Sequence, residues 1–336
     1  MGDYEGAYEA FYKSVWNAAW QDSGYYQLAM IAAMKEEWEE ALELINRSLS
    51  RNSNHHKARH LKSIILRKTG CEKEATEYIK NSLEIDHFNA GLLFEKYLVS
   101  GNDKELELIY SRFRKDVYTH IEYALDYAAS GCWQEAVSFI RIIEDKHEIK
   151  NPLALYLIAW FYDQMGDLKN AGLWFEKAKN ADPDHCFPNQ IESIPAFLKA
   201  LDYDPKDSRA SYYLGNFYYN ARQYEDAHNY WQRSADLDDH FPTVFRNLAL
   251  SYFNRKNETD KALKALTKAF SLNKKDARIL FELDQLYKRL NFEPEKRLEE
   301  LSDFPDLIES RDDLYLEKIS LLNIKGEYEN ALELIL

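Results

Sequence analysis

Turn residues are scarce here: 336 residues hold only 11 Gly and 8 Pro. A sandwich or barrel built from many short strands needs turn signals every 8 to 12 residues or so, and this chain cannot supply them. Cysteine is scarcer still. Cys71, Cys132 and Cys186 are odd in number and far apart, which excludes a disulfide framework or a zinc knuckle and suits a reducing, cytoplasmic compartment. Long apolar runs are missing as well. The longest, LALYLIAWFY at 153–162, is about half of what a bilayer requires, and the opening residues lack the pattern of a signal peptide, so no membrane partner is expected. Basic residues are the minority, 43 against 57 acidic ones, for a net charge of −14. With no local basic patch, that charge repels phosphate backbones and argues against nucleic acid. A Gly-rich phosphate loop, a nucleophile elbow and an HExxH pair are all absent, so no catalytic residue, cofactor or metal site is expected.

What the chain does have is a recurring phrase. Ala7, Ala41 and Ala75 stand in similar contexts at steps of 34 residues, and the phrase returns around Ala136, Ala171, Ala227, Ala262 and Ala331, with Leu106 in the weakest slot. An apolar residue lies four after each Ala and, in most of these phrases, another three before it, as Trp38, Ala41 and Ile45 show, which is the stripe of an amphipathic helix. About twelve residues earlier comes a second compact residue, Ala29, Ser63, Ala124, Ala159, Gly215 or Ala249, inside another helical stripe. Each unit is therefore a pair of helices. Small residues at both places have a packing cause, since helices crossing at 8 to 10 Å or so leave no room for a Leu at the closest contact. Gly70, Gly131, Gly166 and Gly326 fall between the two helices, where a left-handed residue ends the first.

These spacings resemble the tetratricopeptide repeat, most closely in YLIAWFYDQMGDLKNAGLWFEKAKNADP at 156–183. The resemblance covers nearly the whole chain and implies an all-α superhelix of about nine to ten helix pairs. Three places depart from it. The unit at 89–116 is short and lacks the Ala, the unit at 276–302 has Asp284 and Arg297 where small residues belong, and 56 residues separate Ala171 from Ala227. The expected organisation is thus an N-terminal array at 1–183, an irregular segment with one extra helix at 184–206, and a C-terminal array at 207–336. The phrases at the two ends read as half units, and Leu332, Leu334, Ile335 and Leu336 give the last one an apolar outer face, so the expectation is a piece of a longer protein. Phrases such as RDDLYLEKISLLNIKGEYENALELI also resemble the C-terminal array of large bacterial proteins, in which a β-sandwich region similar to carbohydrate-processing domains precedes the repeats.

In stacked helix pairs the first helix of each unit lines a concave groove. Its groove positions bring up Tyr156, Trp160, Tyr212, Asn216, Tyr219, Arg246, Asn247, Phe253 and Phe281, rigid aromatics interspersed with amide and guanidinium donors. The expected function is a non-catalytic scaffold that binds a protein or peptide along this groove, the chain's own preceding region included. The alternative is an accessory domain of a carbohydrate-processing enzyme that docks on the catalytic domain or contacts glycan. Tetratricopeptide domains that clamp a peptide carboxylate resemble this stretch at Asn216, Asn247 and Arg278, but Tyr212 and Glu282 stand where that clamp wants cations. His56 and His60, four apart on one predicted face, could hold a metal only with a third ligand from elsewhere, and surface histidines are the expectation.

Overall fold

A computed structural model describes residues 3–113, 116–143, 148–184 and 186–335; Leu336, part of the apolar end noted above, lies outside them. Among the described residues no strand occurs and 21 α-helices follow one another, most of them as helix-turn-helix pairs. The pair Pro152–Gln164 and Leu168–Lys179 shows how the sequence sets the build. Asn151 Oδ1 accepts from the Ala154 N–H, and Pro152 occupies the first turn where a missing N–H is harmless. Gly166 ends the helix at a φ of 76°, and Asp167 then caps the second helix by accepting from the Asn170 N–H. Ala41, Ala75, Ala136, Ala171, Ala227, Ala262 and Ala331 are all buried at the crossings, as volume requires.

The chain divides into two compact units, residues 1–186 with 191–203, and residues 187–190 with 204–336. The extra helix, Ser193–Tyr203, belongs to the first unit. Phe197 meets Tyr156 edge-on at 5.1 Å, and Tyr203 lies 5.7 Å from Phe175. The Tyr203 hydroxyl sits over Gly172 so closely that a Cβ there would overlap it.

A left-handed residue stands five before the Ala in unit after unit: Glu36, Gly70, Gly131, Gly166, Arg222, Asn257 and Gly326. It also lies seven after the first small residue, from Ala29 to Glu36 or Ala159 to Gly166, with one exception: from Ala249 to Asn257 the count is eight. The surplus residue is absorbed locally, because helix Pro242–Ser251 continues into a single π-helical segment, Tyr252–Lys256. The spacing from Asn257 to Ala262 is intact, so the following helix, Thr259–Leu272, keeps its place.

Where the small-residue rule lapses, buried ion pairs stand in. Asp284 and Arg297, 2% and 4% exposed, meet at the crossing of helices Ala277–Arg289 and Pro294–Ser302. Arg297 Nε donates to Asp284 Oδ1 at 2.9 Å and Nη2 to Oδ2 at 2.7 Å, with Glu317 accepting from the same Nη2 at 2.6 Å. In the short unit of the first half, Glu95 is wholly buried and accepts from Arg67 at 2.7 and 3.0 Å and from the Tyr127 hydroxyl at 2.9 Å. Arg67 also reaches Glu135, which Lys68 pairs as well. Such groups are retained only when both partners and their remaining hydrogen bonds are satisfied.

Candidate functional site

The π-helical segment shapes a cavity in the second unit. Helices Pro242–Ser251, Thr259–Leu272 and Ala277–Arg289 line a half-open hollow of about 420 Å³ with Tyr252–Lys256. Leu250, Phe253, Leu266 and Phe281 supply apolar walls, while Asn254, Glu282, Gln285 and Arg289 bring polar groups to the same space. Two arginines lie over the rings: Arg289 is 5.4 Å from the Phe253 centroid and Arg311 is 5.3 Å from that of Phe281. The mixture of aromatic walls and a few orienting polar groups is the usual make-up of a small binding site.

Beside the cavity runs a chain of hydrogen bonds that uses up most of the expected polar groove. Trp231 Nε1 and Asn247 Nδ2 both donate to Asn216 Oδ1 at 3.0 Å. Arg246 Nη1 donates to Asn247 Oδ1 at 3.2 Å, and the same guanidinium holds Glu282 through two contacts, Nε to Oε2 at 2.7 Å and Nη2 to Oε1. Arg278 Nε adds a third at 3.1 Å. Glu282 thus neutralises the cations that a carboxylate clamp would leave free, and Arg246, Asn247 and Asn216 act as a brace between consecutive first helices.

The nine groove residues fall in both units and differ in burial. Tyr156 and Trp160 belong to the first unit and the other seven to the second. Tyr156 is 0% exposed, enclosed by Phe197 and Phe175, and is core. Tyr212 and Asn247 are likewise buried, Tyr212 with Phe241 edge-on at 4.8 Å. Trp160 is half-buried 5.6 Å from Trp133, and Tyr219 packs between Trp231 and Tyr224. Only Phe253 and Phe281 of the nine line the cavity. Asn254 and Arg289 were missed by periodicity. The signal for Asn254 was the thirteen-residue step from Ala249 to Ala262 where five earlier units have twelve, since an added residue turns the side chains after it about 100° round the axis.

Elsewhere, His56 is exposed while His60 is buried against Tyr127, so the expectation of surface histidines holds for His56 and not for His60. Among the described residues no group of three or more His, Cys, Asp or Glu is arranged to hold a metal ion. No helix among them is long and apolar enough to cross a membrane.

Tetratricopeptide-repeat family profiles match residues 153–185 and 196–229. A TPR repeat-containing protein of Methanocaldococcus jannaschii is 26% identical over 206 residues, which are 61% of this chain and 35% of the relative. The chain thus spans about a third of the length of that relative. Solved structures with which it aligns include residues 41 to the end of MamA from Desulfovibrio magneticus RS-1, at 18% identity and a TM-score of 0.34 over 59% of this chain and 98% of that one. PilF of Pseudomonas aeruginosa aligns at 18% identity and a TM-score of 0.35 over 65% of this chain and 88% of that one. Residues 153–185 and 196–229 thus carry tetratricopeptide repeats, and with helix pairs recurring on both sides of them the chain is a helical-repeat protein.

Proposed function

We propose that this chain is a non-catalytic scaffold that docks a protein partner, and that the cavity between Phe253 and Phe281 receives one large apolar side chain of that partner. The observation that carries this reading is the cavity itself, beside the one surplus residue in a unit whose predecessor keeps the regular spacing from Gly215 to Ala227. Burying a Leu- or Phe-sized side chain there would contribute about 1.5–3 kcal/mol. Gln285 and Asn254 have amides suited to a peptide backbone, and the braced Arg246–Glu282 pair bounds the site on one side. Such an anchor selects partners by shape as well as by chemistry.

Peptide display against the whole chain, with a Phe281→Ala variant as counter-selection, tests this. Selected peptides should share one large apolar residue and lose affinity about tenfold on Phe281→Ala, the factor equivalent to about 1.4 kcal/mol. Peptides that bind both proteins equally would refute the site. A soluble oligosaccharide that binds in a Phe281-dependent manner would turn the reading toward an accessory role in carbohydrate processing within a larger protein.

A further inference from the structure

The first unit carries a second concavity with a different chemistry. Helices Tyr4–Ser14, Gln21–Met34 and Trp38–Arg51 border a space of about 570 Å³. Four aromatic rings face it, Tyr8, Tyr12, Trp16 and Tyr25. Three carboxylates, Glu39, Glu40 and Glu43, stand on the opposite helix with a single cation, Arg47. Trp16 is 76% exposed, an unusual outlay of aromatic surface.

The chain's own cations already report what these rings attract. The Arg47 guanidinium lies 5.7 Å from the Tyr25 centroid, and Lys35 Nζ lies 5.9 Å from that of Tyr8. Among the described residues no cation lies over Tyr12 or Trp16. The carboxylates outnumber the lining cation by three to one. Glu40 is held in place by the Tyr8 hydroxyl, which donates to its Oε1 at 2.8 Å. Glu43 pairs with Arg47, but both side chains are more than half exposed, and an exposed pair of this kind is worth no more than about 1 kcal/mol and exchanges easily.

We propose that this concavity binds the side-chain cation of a basic peptide, a lysine ammonium or an arginine guanidinium. Tyr12 and Trp16 cover the faces of the cation, and Glu39 and Glu40 accept its N–H bonds. Ring quadrupole and carboxylates act in the same direction on such a ligand. A phosphate or carboxylate ligand meets three like charges, and an apolar side chain would desolvate those carboxylates without compensation. A neutral sugar could stack on Trp16 but would make no use of the excess charge. The site is separate from the Phe253–Phe281 cavity, and either can fail without the other.

Fluorescence polarisation of labelled Gly-Ser-Lys-Ser-Gly and Gly-Ser-Arg-Ser-Gly against the whole chain tests the proposal, with the acetyl-lysine peptide as the isosteric neutral control. Both basic peptides should bind saturably, and acetylation should weaken binding at least about tenfold, because it removes the charge and keeps the stem. Trp16→Ala should cost about three- to tenfold, in line with a partly exposed cation–π contact. The double change Glu39→Gln with Glu40→Gln should cost more and should flatten the dependence on added salt. These side chains are exposed, so the variants should keep their helical circular dichroism and melting profile, and Phe281→Ala should bind the basic peptides like the unaltered chain. Equal binding of the acetylated peptide, undiminished binding by Trp16→Ala, competition by a neutral oligosaccharide, or no binding of either basic peptide would each overturn the assignment.

Discussion

Removing both halves of the Asp284–Arg297 pair should destabilise the second unit by less than the two single removals summed. Asp284→Ala leaves the Arg297 guanidinium, 5% exposed at its side chain, with Glu317 alone in place of two carboxylates. Arg297→Ala leaves Asp284 buried beside helix Pro294–Ser302, while Glu317 keeps Lys288 at 2.8 and 3.1 Å. An uncompensated charge of this kind costs about 3–5 kcal/mol. In the double variant no buried charge is orphaned, and the crossing regains the two small residues seen at other units. The singles should therefore not add: the double should cost at least about 2 kcal/mol less than their sum. Because a helical array need not unfold in one step, the assay is amide hydrogen exchange of Ala277–Arg289 and Pro294–Ser302, read beside urea unfolding by circular dichroism. Additive singles, or a single change that costs under about 1 kcal/mol, would show that the pair is screened and that its burial does not govern the crossing.

Two further outcomes are expected. Gly215→Ala places a Cβ inside the Trp231 indole, so it should cost about 1–3 kcal/mol and weaken the Trp231 to Asn216 hydrogen bond; a thermal melt with indole fluorescence reads both, and a neutral change would refute the close approach. Burial, aided by Lys57 and Arg67, pushes the His60 imidazole from its ordinary 6.5 down to about 3. The unfolded chain then takes up a proton below about 6.5 that the folded chain refuses until about 3, so stability is complete above that window and falls by about 1.4 kcal/mol per pH unit as pH drops through it. His60→Asn should remove that slope in urea titrations between neutral and acid pH, whatever its absolute cost, and an unchanged slope would refute the linkage.

Much of the architecture was legible because volume at a helix crossing is a strict local constraint. Ala41, Ala136 and Ala227 could be nothing larger, and counting their separations located the pairs. The groove was less legible because periodicity says which face of a helix a ring occupies but not what lies across from it. Tyr156 and Tyr212 are covered because Phe197 comes down on the first and Phe241 on the second, from segments whose placement no spacing rule contained. Asp284 and Arg297 stood out as breaches of the small-residue rule. Their answer to each other was hidden, since a buried pair depends on two side chains converging across a turn and not on either residue alone. The cavity had a clue in plain numbers, one residue too many between Ala249 and Ala262, but a count does not say whether the excess becomes a loop or a widened turn.

That widened turn has a consequence for how such arrays change over time. Since the step from Asn257 to Ala262 and the start of helix Thr259–Leu272 are intact, the inserted residue alters one patch and leaves the next helix in register. Single-codon gains or losses at helix ends can then carve or fill hollows unit by unit, so recognition can drift while the scaffold stands still.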